Sequence, residues 1–170
     1  MHLHLITAED PLTLQARSRE LIRFPQLTMP LLAALTPSHW QVSHTDEIIH
    51  PVDASSRTYD LVGITAATPG APHAYELAAA FQRRGVTVVM GGPHATLMPY
   101  EVVEHADIVV VGEAETLWPI VLRDVEYEVR YTVGQRILDE QTQANVEVLP
   151  TNRKIYRCPM PATLKGLPFA

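Results

Sequence analysis

The residues best suited to chemistry in this chain lie in four short polar stretches, each following an apolar run: "TAEDP" (7–11), "TAATPGAP" (65–72), "GGPHAT" (91–96) and "GEAET" (112–116). Gly91 and Gly92 carry no Cβ, so backbone there can approach a ligand closely, but a tight strand-to-helix turn at positive φ asks for the same residue type. His94 offers its ring either to a ligand or to hydrogen bonds that hold its own loop. Glu113 and Glu115 could work as paired carboxylates in acid–base chemistry, or place negative charge ahead of a helix N-terminus, where the macrodipole stabilises it. His2 and His4 alternate at metal-ligand spacing, yet nothing else completes such a site, which leaves them as surface histidines. Cys158, the single cysteine, stands beside prolines and reads as an inert thiol. One cysteine excludes an intrachain disulfide framework and fits a reducing cytoplasm.

The elements that must position these stretches are legible as alternating patterns. Strands are expected at 2–7, 40–45, 60–65, 86–90 and 107–112, the last two near-continuous apolar runs of the kind found in parallel strands covered on both faces. Helices are expected at 25–35, 73–84, 99–106 and 116–125. The second of these carries Tyr75, Leu77, Ala78 and Phe81 at helical spacing and ends on Gly85. Strand–helix–strand spacing of about 25–30 residues is the βαβ unit. The class is therefore α/β, an open doubly wound parallel sheet of about five strands, with ligands expected beyond the carboxyl ends of the strands. Residues 126–170 differ: "YEVRYTVG" and "VEVLPTNRKIYR" alternate, reading as exposed strands or a hairpin, and run into proline-rich "CPMPATLKGLPFA".

Several function classes fall away on composition. A chain of 170 residues with 46% hydrophobic and 19% charged residues is one globular domain with at most a short appendage. The net charge of −6 and the lack of a dense Lys/Arg cluster remove the electrostatic footprint of a nucleic-acid binder. No apolar run reaches the roughly 20 residues of a membrane span, and "MHLHLITAED" lacks the pattern of a secretory signal. A nucleophile elbow, a Walker loop and a GxGxxG fingerprint after the first strand are all missing, so catalysis by this chain alone is not expected.

"DLVGIT" with its Thr/Ala/Pro loop, followed by "RRGVTVVMGGPHATLMPYEVVEHADIVVVGEAETLWP", resembles the N-terminal cobalamin-binding-like domain of radical S-adenosylmethionine (radical SAM) enzymes. The resemblance runs from about Arg23 to about Val125 and is most specific in "GGPHAT" and "ADIVVVGEAE". It implies a flavodoxin-like (Rossmann-like) sheet with a corrinoid lying across the strand carboxyl ends. It also implies cofactor-binding roles for Thr65, Ala66 and Thr68 after the third strand, and for Gly91, Gly92, Pro93 and His94 after the fourth. Gly112 and Glu113 would close the same pocket after the fifth.

Two departures qualify the match. The Asp-x-His-x-x-Gly loop that ligates cobalt in many cobalamin proteins is replaced by "TAEDPLTLQARS", without histidine or glycine. One cysteine, moreover, cannot hold a [4Fe–4S] cluster, so the cluster and S-adenosylmethionine belong to a radical SAM barrel outside this chain. Residues 1–125 are then the cobalamin-binding-like unit. Residues 126–170 are an extension whose "ATLKGLPFA" looks like a linker toward that barrel, and the chain reads as a fragment of a longer cytoplasmic enzyme. The alternatives are a non-binding structural or docking module of the same family and a stand-alone flavodoxin-like small-ligand binder.

Overall fold

Apolar residues on both sides of a strand are stable only where helices cover both sheet faces, and that demand shapes this fold. The computed structural model describes residues 1–15, 26–55, 59–128, 136–139 and 144–158. In chain order they form β1 (His2–Thr7), α1 (Pro11–Gln15), α2 (Thr28–Leu35), β2 (Gln41–Asp46), β3 (Leu61–Thr65) and α3 (Ala71–Gln82). There follow β4 (Thr87–Gly91), α4 (Pro93–Leu97), α5 (Pro99–Val102), β5 (Ile108–Val111) and α6 (Trp118–Glu126), then β6 (Arg136–Asp139), β7 (Ala144–Val148) and β8 (Lys154–Arg157). All the strands join one sheet in the order β2-β1-β3-β4-β5-β8-β7-β6. Pairing is parallel from β2 across to β8, then antiparallel for β8 with β7 and β7 with β6. The first five strands have the 2-1-3-4-5 order of the flavodoxin-like doubly wound sheet.

Alternation along each strand divides the core into two halves. Leu3, Leu5, Leu61, Val89 and Val110 face α2 and α6, where they meet Met29, Leu32 and Trp118. Ile6, Val62, Ile64, Val88 and Met90 face the other way, against Ala74, Leu77 and Phe81 of α3 and Ala95 and Val102 of α4 and α5. Trp118 is 2% exposed and its indole N–H donates to Thr36 Oγ1 at 3.0 Å, whereas the buried indole N–H of Trp40 in the same half has no partner among the described residues.

The structure moves several expected boundaries. The helix expected at 73–84 starts at Ala71, because Pro72 fits a first turn, and Gly85 ends it at φ 76°. The helix expected from Pro25 is helical from Thr28, and Pro25 itself lies outside the described residues. The stretch read as a "GGPHAT" loop is mostly α4, since Pro93 opens a helix immediately after Gly92. His4, read as a surface residue, is 6% exposed: Ser43 Oγ lies 2.8 Å from its Nδ1 and its ring stacks on Tyr59.

The larger correction concerns the C-terminal stretch. "VEVLPTNRKIYR" does form a hairpin, turned by Asn152 at φ 63°, but it is not exposed. β8 inserts beside β5, and Val146, Val148, Ile155 and Tyr156 are buried. The alternation read as exposure marks an antiparallel strand with one covered face. The Tyr156 hydroxyl donates to Asp124 Oδ2 at 2.8 Å, which pairs a carboxylate that is itself 1% exposed. Most of "YEVRYTVG" and the tail beyond Cys158 lie outside the described residues.

Two outcomes follow from this packing. Ile155→Ala is expected to cost about 2–5 kcal/mol in urea unfolding, as for a central core residue; an exposed hairpin would lose less than about 0.5 kcal/mol. Burial, followed by the charges of His2 and His44, lowers the His4 pKa from 6.5 to about 4. The unfolded chain therefore takes up this proton first, so stability present above pH 6.5 is lost as pH falls toward 4. The loss attributable to His4 is about 1–3 kcal/mol after screening near this sheet edge. Urea midpoints between pH 7 and pH 4.5 should fall less steeply for His4→Gln than for the parent chain.

Candidate functional site

The chain leaves β1 toward β2 on one side and returns to β3 on the other. Loops diverging from such neighbours open a crevice beyond the strand carboxyl ends, which is where a ligand is accommodated in this topology. Thr7, Thr65, Gly91 and Val111 end the strands that bound it.

The two adjacent glycines answer different demands. Gly92 has φ 92°, and any Cβ built on it would collide with Thr65 Oγ1. The fold itself requires that glycine. Gly91 carries no such requirement: a Cβ there would lie 3.7 Å from Val110, an ordinary contact. Gly112 has φ 85° with open space around it, a conformational role without a close approach.

Short hydrogen bonds bind the loops together. The Ala8 N–H donates to the Thr65 carbonyl at 2.9 Å, and the His94 N–H donates to the Ala66 carbonyl at 3.2 Å. The Thr96 hydroxyl donates to the Gly92 carbonyl at 2.9 Å and accepts the Gly112 N–H at 3.0 Å. One side chain thus fixes the loop after β4 to the loop after β5.

His94 is brought to a different place from the glycines. It is 4% exposed, with Tyr75 Oη 2.7 Å from Nε2 and Thr68 Oγ1 3.3 Å from Nδ1. The Tyr75 hydroxyl donates to Glu101 Oε1 at 3.0 Å. Burial first, then that hydrogen bond and the Glu101 charge, push the tyrosine pKa above its ordinary value, so it remains a donor. With its proton committed to Glu101, Tyr75 accepts from Nε2–H, and Nδ1 accepts from Thr68. Both ring nitrogens are used in bracing α3 against α4.

Two neighbouring cavities that share lining residues lie at the strand ends. The inner one, about 30 Å³, is walled by Leu5, Met29, Val110 and Trp118, with Thr65 and Gly91 among its lining residues. Gly63 also lines it, where a Cβ would come within 3.0 Å of Leu5 Cδ2 and 3.5 Å of Trp118 Cη2. The outer groove, about 520 Å³, passes Pro93, Leu97, Gly112, Glu113 and Glu115. Thr28, Gly92 and Ala114 border both. Of the residues expected at the site, Thr65, Gly91 and Gly92 line the inner cavity, and Gly92, Pro93, Gly112 and Glu113 line the groove. Ala66, Thr68 and His94 line neither and sit behind the loop. Glu115 Oε2 is buried without a hydrogen-bond partner among the described residues, a free acceptor at the groove.

Sequence reasoning did not single out Glu47 and His73. Glu47 is 4% exposed, accepts the Glu9 N–H at 3.1 Å and has His73 Nε2 2.9 Å from its other oxygen. It ties the loop after β1 to the first turn of α3. The signal was weak, because the two residues are 26 positions apart and neither belongs to a pattern.

A corrinoid's nucleotide tail asks for a cleft where backbone replaces side chains, and its amide-bearing rim asks for polar partners outside that cleft. The glycine-lined cavity offers backbone in place of side chains and Glu115 an unpaired oxygen beside the groove, while the cavity as closed here, about 30 Å³, is smaller than the tail.

Comparisons with known proteins point the same way. Residues 31–122 match the family described as "B12 binding domain". The chain is 43% identical over 99 residues to bacteriochlorophyllide d C-8(2)-methyltransferase of Chlorobaculum tepidum, covering 58% of this chain and 22% of that protein. It is 31% identical over 102 residues to bacteriochlorophyllide d C-12(1)-methyltransferase of the same organism, with the same coverage of 58% and 22%. The chain thus spans about a fifth of the length of these curated relatives. No solved structure matches it. Among the described residues no helix is long and apolar enough to cross a membrane. With the family match covering more than half of its length and its strand order in agreement, this chain belongs to the B12 binding domain family.

Proposed function

We propose that this chain is the cobalamin-holding part of a larger radical SAM methyltransferase that acts on a tetrapyrrole of the bacteriochlorophyllide type. The observation that carries the reading is Gly91, a glycine the fold does not need, lining a cleft that a side chain would fill. Family membership and the printed activities of the two relatives supply the rest.

In this reading Thr65, Gly91 and Gly92 hold the nucleotide tail, and Pro93, Gly112, Glu113 and Glu115 meet the corrin rim. Ala66, Thr68 and His94 position the loop from behind. Bound cobalamin supplies the methyl-transfer chemistry, while this chain orients it and excludes water from the tail. The [4Fe–4S] cluster and S-adenosylmethionine belong to a partner barrel beyond the chain. Residues 1–125 are the corrinoid unit, and 126–170 the extension toward that barrel.

One observation favours a rival, a structural module with a vestigial site. A cavity of about 30 Å³ holds one water molecule. Met29 and Leu32 of α2 and Trp118 of α6 must therefore part before a nucleotide tail enters. Titration with hydroxocobalamin followed by gel filtration decides between them. Co-elution of chain and corrinoid with a shifted, base-off visible spectrum is expected. Complete separation at corrinoid concentrations well above that of the protein would sink the cobalamin reading.

The glycine pair provides a sharper test. Gly91→Ala should fold with stability within about 1 kcal/mol of the parent chain and bind hydroxocobalamin roughly tenfold or more weakly. Gly92→Ala should lose about 1–3 kcal/mol in urea unfolding through backbone strain. Equal cobalamin affinity in Gly91→Ala and the parent would remove the main support for the tail cleft.

A further inference from the structure

A polar cavity of about 660 Å³ opens at the amino end of the sheet, the length of the strands away from the crevice. It is bordered by the first residues of β4, β5 and β8, by the end of α6 and by the turn between β7 and β8. Its volume lies within the range of about 300–1,000 Å³ common to small-ligand sites.

The lining carries both signs of charge. Lys154 is half-buried, and burial outweighs the nearby Asp124 charge to lower the pKa of its amine. Asp124 already accepts the Tyr156 hydroxyl at 2.8 Å and the Arg123 guanidinium at 3.0 Å. A further anion beside the ammonium would therefore be stabilising. On the negative side stand Asp107 and Glu128. Asp107 uses Oδ2 to accept the Val88 N–H at 2.8 Å, and Glu128 is exposed at the rim.

The backbone at Glu128 gives an independent sign that its side chain matters. Glu128 follows the end of α6 at φ 47°, where a helix commonly finishes on glycine. Gly85, Gly92 and Gly112 fill other left-handed positions in this chain. Among the described residues Glu128 and Asn152 are the two non-glycine exceptions, and both line this cavity. Asparagine tolerates that conformation in a hairpin turn, whereas glutamate holds it at a cost in strain.

We propose that this cavity binds a small zwitterion of the α-amino-acid class, its carboxylate on Lys154 and its ammonium group on the carboxylates of Glu128 and Asp107. The hydroxyl of Thr87 and the amide of Asn152 add neutral polar partners. The site shares no lining residue with the crevice or its groove, so it stands or falls apart from the corrinoid reading.

The full chain is screened by thermal shift against each standard L-amino acid at about 10 mM, and the best is titrated by calorimetry. At least one amino acid is expected to raise the melting temperature and to bind with a Kd below about 1 mM. Acetate and methylammonium, with one charge each, should bind about tenfold or more weakly. Lys154→Gln should weaken binding by about tenfold or more. Glu128→Gly keeps the test clear of unfolding: its urea midpoint should rise as strain is relieved, while binding weakens about tenfold or more. No melting shift with any amino acid would overturn the site. Acetate binding as tightly as the best amino acid would overturn the zwitterion. Unchanged affinity in both variants would put the ligand elsewhere and overturn the assignment.

Discussion

The close approach of Gly92 to Thr65 governs how the carboxyl end of this sheet is built. The end of β3 and the turn after β4 pack so tightly that no Cβ fits between them, and the backbone takes a φ of 92° to achieve it. Once that contact is made, Pro93 can open α4 at once, and the Gly92 carbonyl faces the Thr96 hydroxyl. Thr96 reaches on to the Gly112 N–H, so the loop after β5 inherits its position from the loop after β4. The His94 N–H closes the arrangement from the other side on the Ala66 carbonyl. Three loops that could each move independently are thereby reduced to one rigid rim. Hydrogen bonds of this kind contribute only about 1 kcal/mol each; their importance here lies in geometry rather than in stability.

That rim stands on a sheet whose two faces are buried by different partners. α2 and α6 cover one face and α3 to α5 the other, so the crevice between β1 and β3 has an apolar wall on each side. Glu47 and His73 bridge it at the level of the β1 loop, pairing a buried carboxylate across elements that no sheet hydrogen bond connects. β8 extends the support. It occupies the edge of β5 that would otherwise be an open row of unpaired backbone groups. Tyr156 fills the space beneath α6 while pairing Asp124. The strand that ends at the Gly112 loop is therefore held from both sides, which keeps the rim in place.

What could be read from the sequence was whatever depends on local pattern. Runs such as "VTVV" and "IVVV" bury both faces, and that alone led to a parallel sheet, its strand positions and the loops at its carboxyl end. The glycines of the site were visible for the same reason, since GG after a strand is unusual wherever it occurs. The division of labour between Gly91 and Gly92 was not visible, because it turns on Thr65, 27 residues before Gly92 in the chain. His94 stands in the loop that carries the resemblance, yet Tyr75 and Thr68 draw its ring behind that loop, and the spacing of neither residue announces it. β7 was misjudged because polar and apolar residues alternate in a half-covered antiparallel strand much as they do in an exposed one, and with it β8, whose place beside β5 no local pattern announces. His4 was misjudged because its cover, Tyr59, arrives from a distant segment.

The cleft and the groove at the strand ends differ in polarity. Glu113 and Glu115 lie along the open groove. A flat aromatic base gains most from leaving water altogether, so it is best met in a dry slot. The slot is nearly closed, and opening it means separating Met29 and Leu32 from the Trp118 side. Those contacts are made of dispersion and apolar burial, which a base of similar character replaces almost in kind. Met29 suits such an exchange, since an unbranched thioether can repack without strain. Any group that enters the closed slot must first compensate for contacts the protein already makes with itself.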